Sequence, residues 1–254
     1  MSDLVDFVEA PGRFMEPTEG ALVVKTPRFV LVAGTDGVWA SVQGIRLRDG
    51  EATNAVAEVR ELLPPAGTRV ISWWLTERAT PGDVEEQLLA AGLAIGPRDY
   101  RIDALLATTP PPAGPPEIEV RLARTAEEWA TVRELQETVF ENPPERRPTR
   151  EQLLAEFDRA GTVLFGAWLD GELVGSAGAS PSSRGLLLWG GSVRADARGR
   201  GCYRALVRAR WDEAVRRGTP ALTVGANDKS GPVLRKLGFE RVLELRRLED
   251  VLSA

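Results

Sequence analysis

In the second half of the chain, an apolar run that predicts a strand is followed by a pattern that predicts a helix. The run from Leu186 to Val193 is almost continuously apolar, as expected of a buried strand. Downstream of it, apolar residues recur at helical spacing, namely Leu206, Val207, Trp211 and Val215. The residues between contain Gly199 and Gly201. The pattern therefore predicts a glycine-containing loop that joins the end of a strand to the start of a helix.

The pattern of apolar and polar residues predicts helices and strands throughout the second half of the chain. Thr125–Glu128 has the form of a capping box, and Asp170-Gly171 has the form of a tight hairpin turn. The predicted elements are a strand at 118–123, a helix at 125–140, a helix near 149–160, strands near 162–169 and 172–179, a strand at 185–193, a helix at 202–217, a strand at 220–225, a helix at 228–237 and a strand at 239–247.

The first half shows a weaker pattern of the same kind, and a proline-rich segment at 108–116 separates the halves. We predict strands near 21–26, 29–34 and 37–46, a helix near 53–63, a strand at 69–74 and a helix at 84–91. Proline at this density cannot join a helix or a central strand, so 108–116 is expected to be a stiff, extended linker. Trp73 and Trp74 should point to opposite faces of their strand.

The loop that follows the 185–193 strand has the chemistry of a diphosphate site. Backbone N–H groups at a helix start have no intrahelical partner, and the helix dipole places partial positive charge there. Gly199 and Gly201 let the backbone approach an anion closely, and Arg198, Arg200 and Arg204 add positive charge. The sequence has no P-loop motif, and no G-x-G-x-x-G follows a strand early in a βαβ unit, so those two phosphate loops are excluded.

This loop resembles the acyl-CoA loop of the Gcn5-related N-acetyltransferase (GNAT) superfamily, whose motif is R/Q-x-x-G-x-G/A. Arg198 and Gly201 match the motif, whereas Tyr203 stands at its last position. A second family segment, N-x-x-(S/A) followed by K-L-G-F-E, is similar to Asn227 and Ser230 followed by residues 236–240. The resemblance covers about residues 117–250.

The resemblance implies the α+β GNAT fold, with a central, mixed, mostly antiparallel twisted sheet flanked by helices. The predicted order βααβββαβαβ agrees with it. We expect two GNAT-like halves: a degenerate N-terminal domain at 1–107, the linker at 108–116 and an acetyltransferase domain at 117–254. In the first half the loop equivalent to the acyl-CoA loop is Arg48–Glu51, where two carboxylates and a single glycine leave no credible CoA site.

The resemblance also assigns roles to individual residues. Main-chain groups of Gly191, Ser192 and Val193 would hold the pantetheine arm and polarise the thioester. The diphosphate would lie on the residues of the loop and the first helical turn, and the side chain of Asn227 would contact the cofactor near Ser230. The complete set of cofactor-binding candidates is Gly191, Ser192, Val193, Arg198, Gly199, Arg200, Gly201, Cys202, Tyr203, Arg204, Asn227 and Ser230.

The general acid and base have no clear candidates. The family often has a tyrosine where this chain has Leu234, and the strand before Asn227 carries no carboxylate. Ser230, Asp228 and Glu141 are weak alternatives, each better explained as a helix cap or a solvated side chain. Cys202 at the helix start could have a lowered thiol pKa, but the family transfers its acyl group directly. The ring of Tyr203 is expected to turn into the domain.

Composition limits the remaining possibilities. The chain of 254 residues contains no histidine and a single cysteine, which excludes zinc sites, Ser-His catalysis and an internal disulfide. Net charge is −5, divided as −6 over residues 1–115 and +1 over 116–254, so an anionic cofactor would be steered to the second half. No basic patch interleaved with aromatics, membrane span or signal peptide is evident, so we expect a cytoplasmic protein without nucleic-acid or membrane partners.

Two functional hypotheses follow. The first is an N-acetyltransferase that uses acetyl-CoA, or another acyl-CoA, as co-substrate without a metal and transfers the acyl group directly to an amine of a small molecule or to an amino group. The second is a non-catalytic CoA-binding or partner-binding module of the same fold that has lost its acid and base. The intact loop favours the enzyme. The chain would be a monomer or a homodimer.

Overall fold

A computed structural model describes residues 2–34, 39–63, 70–96, 99–144, 147–159 and 161–252. The elements up to the proline-rich segment are α1 (Ser2–Glu9), β1 (Ala21–Lys25), β2 (Val30–Gly34), β3 (Ala40–Gln43), α2 (Ala52–Leu62), β4 (Val70–Leu75), α3 (Val84–Ala90), β5 (Ala94–Ile95) and β6 (Arg101–Ala107). Those after it are β7 (Ile118–Leu122), α4 (Ala126–Val139), α5 (Arg150–Arg159), β8 (Val163–Leu169), β9 (Glu172–Pro181), β10 (Leu186–Val193), α6 (Cys202–Arg216), β11 (Leu222–Ala226), α7 (Gly231–Lys236) and β12 (Glu240–Val251).

The chain forms two compact units whose boundaries differ from a simple division at the proline-rich segment. The first unit comprises residues 1–105, 225–233 and 240–254, and the second comprises 106–224 and 234–239. The predicted division placed everything after residue 116 in one domain. The difference arises because β12, the last strand of the chain, pairs with β4 over Arg246↔Leu75 to Val251↔Val70.

The first unit is a mixed sheet whose core is formed by strands and two helices. β1, β2 and β3 pair antiparallel in sequence, β3 pairs parallel with β4, and β12 pairs antiparallel with β4 and with β5. Trp73 is fully buried in this core together with Leu88 of α3 and Leu248 of β12. Trp74 points the other way and lies half-buried, with the Arg247 guanidinium 5.7 Å from its ring centre. The alternation predicted for these two tryptophans is thus present.

The second unit contains an antiparallel meander. Strands β7, β8, β9 and β10 pair in sequence order, and β10 then pairs parallel with β11. Asp170 and Gly171, with φ of 53° and 82°, form the turn between β8 and β9, as predicted. Thr125 caps α4 by accepting a hydrogen bond from the Glu128 amide, and the Glu128 side chain accepts one from Arg124 N rather than from Thr125 itself.

The element order βααβββαβαβ predicted for the second half is the one observed, and the fold is α+β, as predicted. Among the described residues, three elements of the first half were not predicted, namely α1, β5 and β6. Helix α1 is short and begins at the chain terminus, and it is held by Glu9, whose buried carboxylate accepts hydrogen bonds from Arg46 and Thr76. The sequence of β6 does not distinguish a strand from a helix. Its apolar residues Ile102, Ala104 and Leu105 match neither the two-residue period of a strand nor the 3.6-residue period of a helix.

Among the described residues, no helix combines the length and apolarity that crossing a membrane requires.

Candidate active site

The loop between β10 and α6 has the backbone conformation that its glycines predict. Gly199 and Gly201 have φ of 78° and 88°, and Gly201 is the N-cap residue of α6. A side chain with a Cβ rarely adopts this conformation, so the two glycines are required by the backbone here. A Cβ on Gly199 would meet nothing within 4 Å, which leaves the backbone at this point open to an incoming group.

The three arginines of the loop have different environments. Arg198 donates through Nε to the Val193 carbonyl at 3.2 Å and so braces the loop against the end of β10. Arg200 is half-exposed, with its guanidinium 3.9 Å from the exposed Asp170 carboxylate, a weak contact in water. Arg204 has its Nε buried without a hydrogen-bond partner in the part of the chain that the structure describes. Arg200 is therefore available to a bound anion, whereas Arg198 has a structural contact and Arg204 is partly buried.

The proline-rich segment does not stand apart as an extended spacer but lies along α6. Arg208 of α6 donates to the Pro111 carbonyl at 3.2 Å. A Cβ on Gly114 would lie 2.7 Å from the Ala205 Cα, so a larger residue at 114 would not fit. Likewise, a Cβ on Gly201 would lie 2.5 Å from Pro115 Cγ. The segment thus forms one wall of the loop, which remains open on the side of Gly199.

Strand β10 is interrupted just before the loop by a bulge. Trp189 pairs with Gly178 and Ser192 with Ser176, so Gly190 and Gly191 together face the single residue between those partners on β9. The pairing of β10 with β11 covers Leu186↔Leu222 and Leu187↔Thr223 and does not extend to the bulge. A strand that bulges on one side and parts from its neighbour on the other leaves main-chain groups available to a ligand.

Tyr203 turns into the domain, as expected, and covers one side of this bulge. A Cβ on Gly191 would lie 2.8 Å from the Tyr203 ring, so the ring packs directly on that glycine. The Tyr203 hydroxyl also interacts with Arg210, whose guanidinium is 1% exposed. Burial lowers the pKa of Arg210, and the Tyr203 hydroxyl partly offsets this effect. Tyr203 therefore lies beneath the site and leaves the face of the loop at Gly199 clear.

The environment of Cys202 argues against a nucleophile. Its side chain is 1% exposed, and the sulfur lies 3.7 Å from the Ala197 carbonyl oxygen. Burial raises the pKa of the Cys202 thiol and outweighs the lowering by backbone hydrogen bonding and by Arg200. The lowered pKa expected from the helix start alone is therefore wrong, because desolvation of the thiolate is the larger effect.

Asn227 and Ser230, both in the first unit, are brought together as a helix cap. Asn227 Oδ1 accepts hydrogen bonds from the Lys229 and Ser230 amides at 3.1 Å and from the Ser230 hydroxyl at 3.2 Å. Asn227 Nδ2 donates to Asp99 at 3.2 Å. The polar atoms of both side chains thus take part in local contacts that fix the start of α7.

The other catalytic candidates lie at exposed positions. Asp228 is exposed in the turn before α7, and Glu141 is exposed after the end of α4 with φ of 55°. Leu234, at the position where the family often has tyrosine, is fully buried in the core. These surroundings single out no side chain as general base or acid.

A buried polar group that faces the bulge was missed from the sequence. Gln136 of α4 is 2% exposed and donates through Nε2 to the Gly190 carbonyl at 2.5 Å. Its Oε1 accepts from Arg133, which also contacts Glu137 at 3.1 Å and Glu156 at 3.2 Å. A signal was available: Trp129, Val132 and Gln136 share the inward face of α4 by spacing, and a glutamine at a core position needs a partner.

In the equivalent loop of the first half, two main-chain amides are occupied by side chains of the loop and of α3. Arg48 N donates to Glu51 at 2.9 Å, and Gly50 N donates to Gln87 Oε1 at 3.1 Å. Gln87 also donates to Asp49 at 2.7 Å. These contacts and the carboxylates leave that loop unsuited to a diphosphate.

The second unit thus combines two features within an α+β fold. A bulged, splayed strand is followed directly by a helix that has a glycine at its N-cap. Residues 129–239 match the acetyltransferase (GNAT) family. The match covers less than half of the chain, and the α+β GNAT fold predicted from the resemblance is confirmed by the solved structures described next.

Solved structures extend the likeness in fold to nearly the whole chain. A GCN5-related N-acetyltransferase from Kribbella flavida is 17% identical, with 98% of this chain and 96% of that one covered and a TM-score of 0.70. A tandem GNAT protein from the clavulanic acid biosynthesis pathway is also 17% identical, covering 97% and 88%, with a TM-score of 0.59. A GCN5-related N-acetyltransferase from Sphaerobacter thermophilus is 19% identical, covering 88% and 80%, with a TM-score of 0.58. No curated protein matches the sequence.

Proposed function

We propose that the chain is an N-acyltransferase that uses acetyl-CoA or a related acyl-CoA and transfers the acyl group to an amine of a small molecule or to an amino group. One observation carries the proposal: β10, its Gly190–Gly191 bulge and the Gly201-capped start of α6 follow one another along the chain, inside the residues that match the GNAT family. The bulge suits a thioester and its arm, and the helix start suits the diphosphate.

The residues present fit such a co-substrate. The backbone at Gly199 is open and Arg200 is half-exposed, so positive charge is available at the helix start. In the first half the amides of Arg48 and Gly50 already donate to side chains, which favours one acyl-CoA per chain. Main-chain groups of Gly191, Ser192 and Val193 would contact the arm.

In the proposed reaction the neutral amine attacks the thioester carbonyl carbon directly. The C–N bond forms, the C–S bond breaks, and the amine proton leaves to solvent or to a base while the CoA thiolate departs. Cys202 takes no covalent part, since its thiol is buried and its pKa is raised.

The first test is titration calorimetry of the purified protein with acetyl-CoA, followed by a screen of amines for release of CoA thiol. We expect micromolar binding that weakens at least about ten-fold in Arg200→Glu, because a charge-assisted contact contributes roughly 1.5–3 kcal/mol. Arg200→Glu is a cleaner probe than a change at Arg204, whose Nε is buried.

Arg184→Glu is the matched control for this experiment. It makes the same charge change at an exposed residue before β10, whereas the loop follows the other end of that strand. Binding should remain within about two-fold of the parent protein. Equal losses in the two variants, or none in Arg200→Glu, would contradict the location of the diphosphate site.

A second function is favoured by the surroundings of the catalytic candidates. Asn227 and Ser230 are engaged in capping, and Asp228 and Glu141 are exposed. A non-catalytic CoA-binding module would have these features, and it predicts acetyl-CoA binding without thiol release for any amine tested.

A further inference from the structure

Gln136 is the side chain that fixes the conformation of the β10 bulge from the α4 side. Its amide donates to the Gly190 carbonyl at 2.5 Å, and it is 2% exposed. Gly190 has φ of 60°, and a Cβ at that position would overlap the Gln136 amide. The glycine and the glutamine therefore fit one another, and the contact depends on both.

The orientation of the Gln136 amide follows from its neighbours. Arg133 can only donate, so the atom of Gln136 that it contacts must be the carbonyl oxygen, and the nitrogen must face Gly190. Arg133 is itself held by Glu137 at 3.1 Å and Glu156 at 3.2 Å. The amide is thus fixed by a partly buried polar network that reaches α5, not by packing alone.

The direction of one carbonyl determines the direction of the next amide. In a planar trans peptide, the C=O of one residue and the N–H of the following residue point in opposite directions. Because Gln136 draws the Gly190 carbonyl toward α4, the N–H of Gly191 points away from α4. Two buried hydroxyls beside it, Ser176 and Ser192, have no hydrogen-bond partner among the described residues, so the surroundings of the bulge are polar.

We infer that Gln136 is a positioning residue for the acyl group: by holding the Gly190 carbonyl, it aims the Gly191 N–H at the carbonyl oxygen of a bound acyl-CoA. The inference rests on the proposed function, since it concerns the same co-substrate. It assigns the orientation of a main-chain donor in the strand to a side chain of helix α4.

Two substitutions remove the donor without changing the shape of the side chain much. Gln136→Glu keeps an acceptor for Arg133 but places carboxylate oxygen against the Gly190 carbonyl. Gln136→Met removes both hydrogen bonds without adding a charge. Gln152→Glu is the matched control, because Gln152 is an exposed residue of α5 that accepts a hydrogen bond from the Thr149 amide, which glutamate also accepts.

The experiment compares the dissociation constants of acetyl-CoA and of CoA, which lacks the acyl carbonyl, in the full-length protein and in the three variants. We expect acetyl-CoA affinity to fall about ten-fold in both Gln136 variants, in line with loss of one well-placed hydrogen bond, while CoA affinity changes less than about three-fold. Gln152→Glu should leave both constants unchanged. A thermal melt of each variant reports folding.

The outcomes distinguish failure of the inference from failure of the proposed function. If the parent protein binds both ligands and the Gln136 variants keep the ratio of the two constants, the inference is wrong while the proposed function stands. If the folded parent protein binds neither ligand, the proposed function itself fails. Loss of folding in both Gln136 variants would also contradict the inference, since Gln136 would then serve stability rather than the acyl group.

Discussion

At the scale of single residues, desolvation decides between chemical and structural roles in this protein. Cys202 stands at a helix start, where the dipole favours a thiolate, yet burial raises the pKa of its thiol. The spacing of Gln136 marks it as an inward-facing helix residue, but the sequence does not show that its amide meets a main-chain carbonyl. Residue type and spacing can indicate burial, but they do not reveal which group a buried side chain will contact.

The raised pKa of Cys202 predicts low thiol reactivity in the native protein. At pH 8 the thiolate fraction should be smaller than that of a free cysteine, whose pKa is about 8.5, and burial adds a barrier to access. We expect alkylation by iodoacetamide at least about 100-fold slower than for the same protein in urea. The measurement is mass-spectrometric counting of the single adduct over time. Equal rates in the two conditions would mean that the thiol is exposed.

At the scale of elements, the β10–α6 loop and the proline-rich segment form one packed structure. Much of the loop was predictable from the sequence, because the apolar run of the strand, the two glycines and the helical spacing of apolar residues are separate signals. The contact of Pro115 with Gly201 was not predictable, since it joins residues 86 positions apart through packing that no local pattern encodes. The segment was for the same reason expected to be an extended spacer.

Gly199 and Gly201 provide a matched pair to test that packing. Both have positive φ, but only Gly201 has Pro115 against the position of a Cβ. Gly199→Ala should lower the free energy of unfolding by about 1–2 kcal/mol, the cost of a left-handed residue with a Cβ. Gly201→Ala should cost roughly 1–3 kcal/mol more, because the methyl group must displace the proline ring.

Urea denaturation of both variants measures this difference. The slope with denaturant should be the same in the two proteins, so that the midpoints report stability alone. Equal losses for the two substitutions would show that Pro115 does not rest on Gly201 in solution.

At the scale of the whole molecule, the chain is organised into two units that do not follow its order. The sequence allowed a division at the proline-rich segment, and the repeated pattern of strands and helices supported two halves. It did not reveal that β12, the last strand of the chain, pairs with β4 of the first unit. The alternation of apolar and polar residues indicates which face of a strand is buried, but it does not indicate the strand with which that strand will pair.

The placement of β12 leads to a prediction about the isolated first half. In residues 1–107 alone, β4 would lose its antiparallel partner, the core would lose Leu248, and Arg60 would lose the buried carboxylate of Asp250, to which it donates at 2.6 and 2.9 Å. We expect this fragment to show no cooperative thermal transition and no near-ultraviolet circular dichroism from its tryptophans.

Adding residues 240–252 through a flexible Gly/Ser linker should restore both signals, because the missing strand and the ion pair return together. The same fusion carrying Leu248→Asp is the control, since it supplies the strand but places an unpaired charge in the core. Cooperative unfolding of the 1–107 fragment by itself would show that the first half is stable without the last strand.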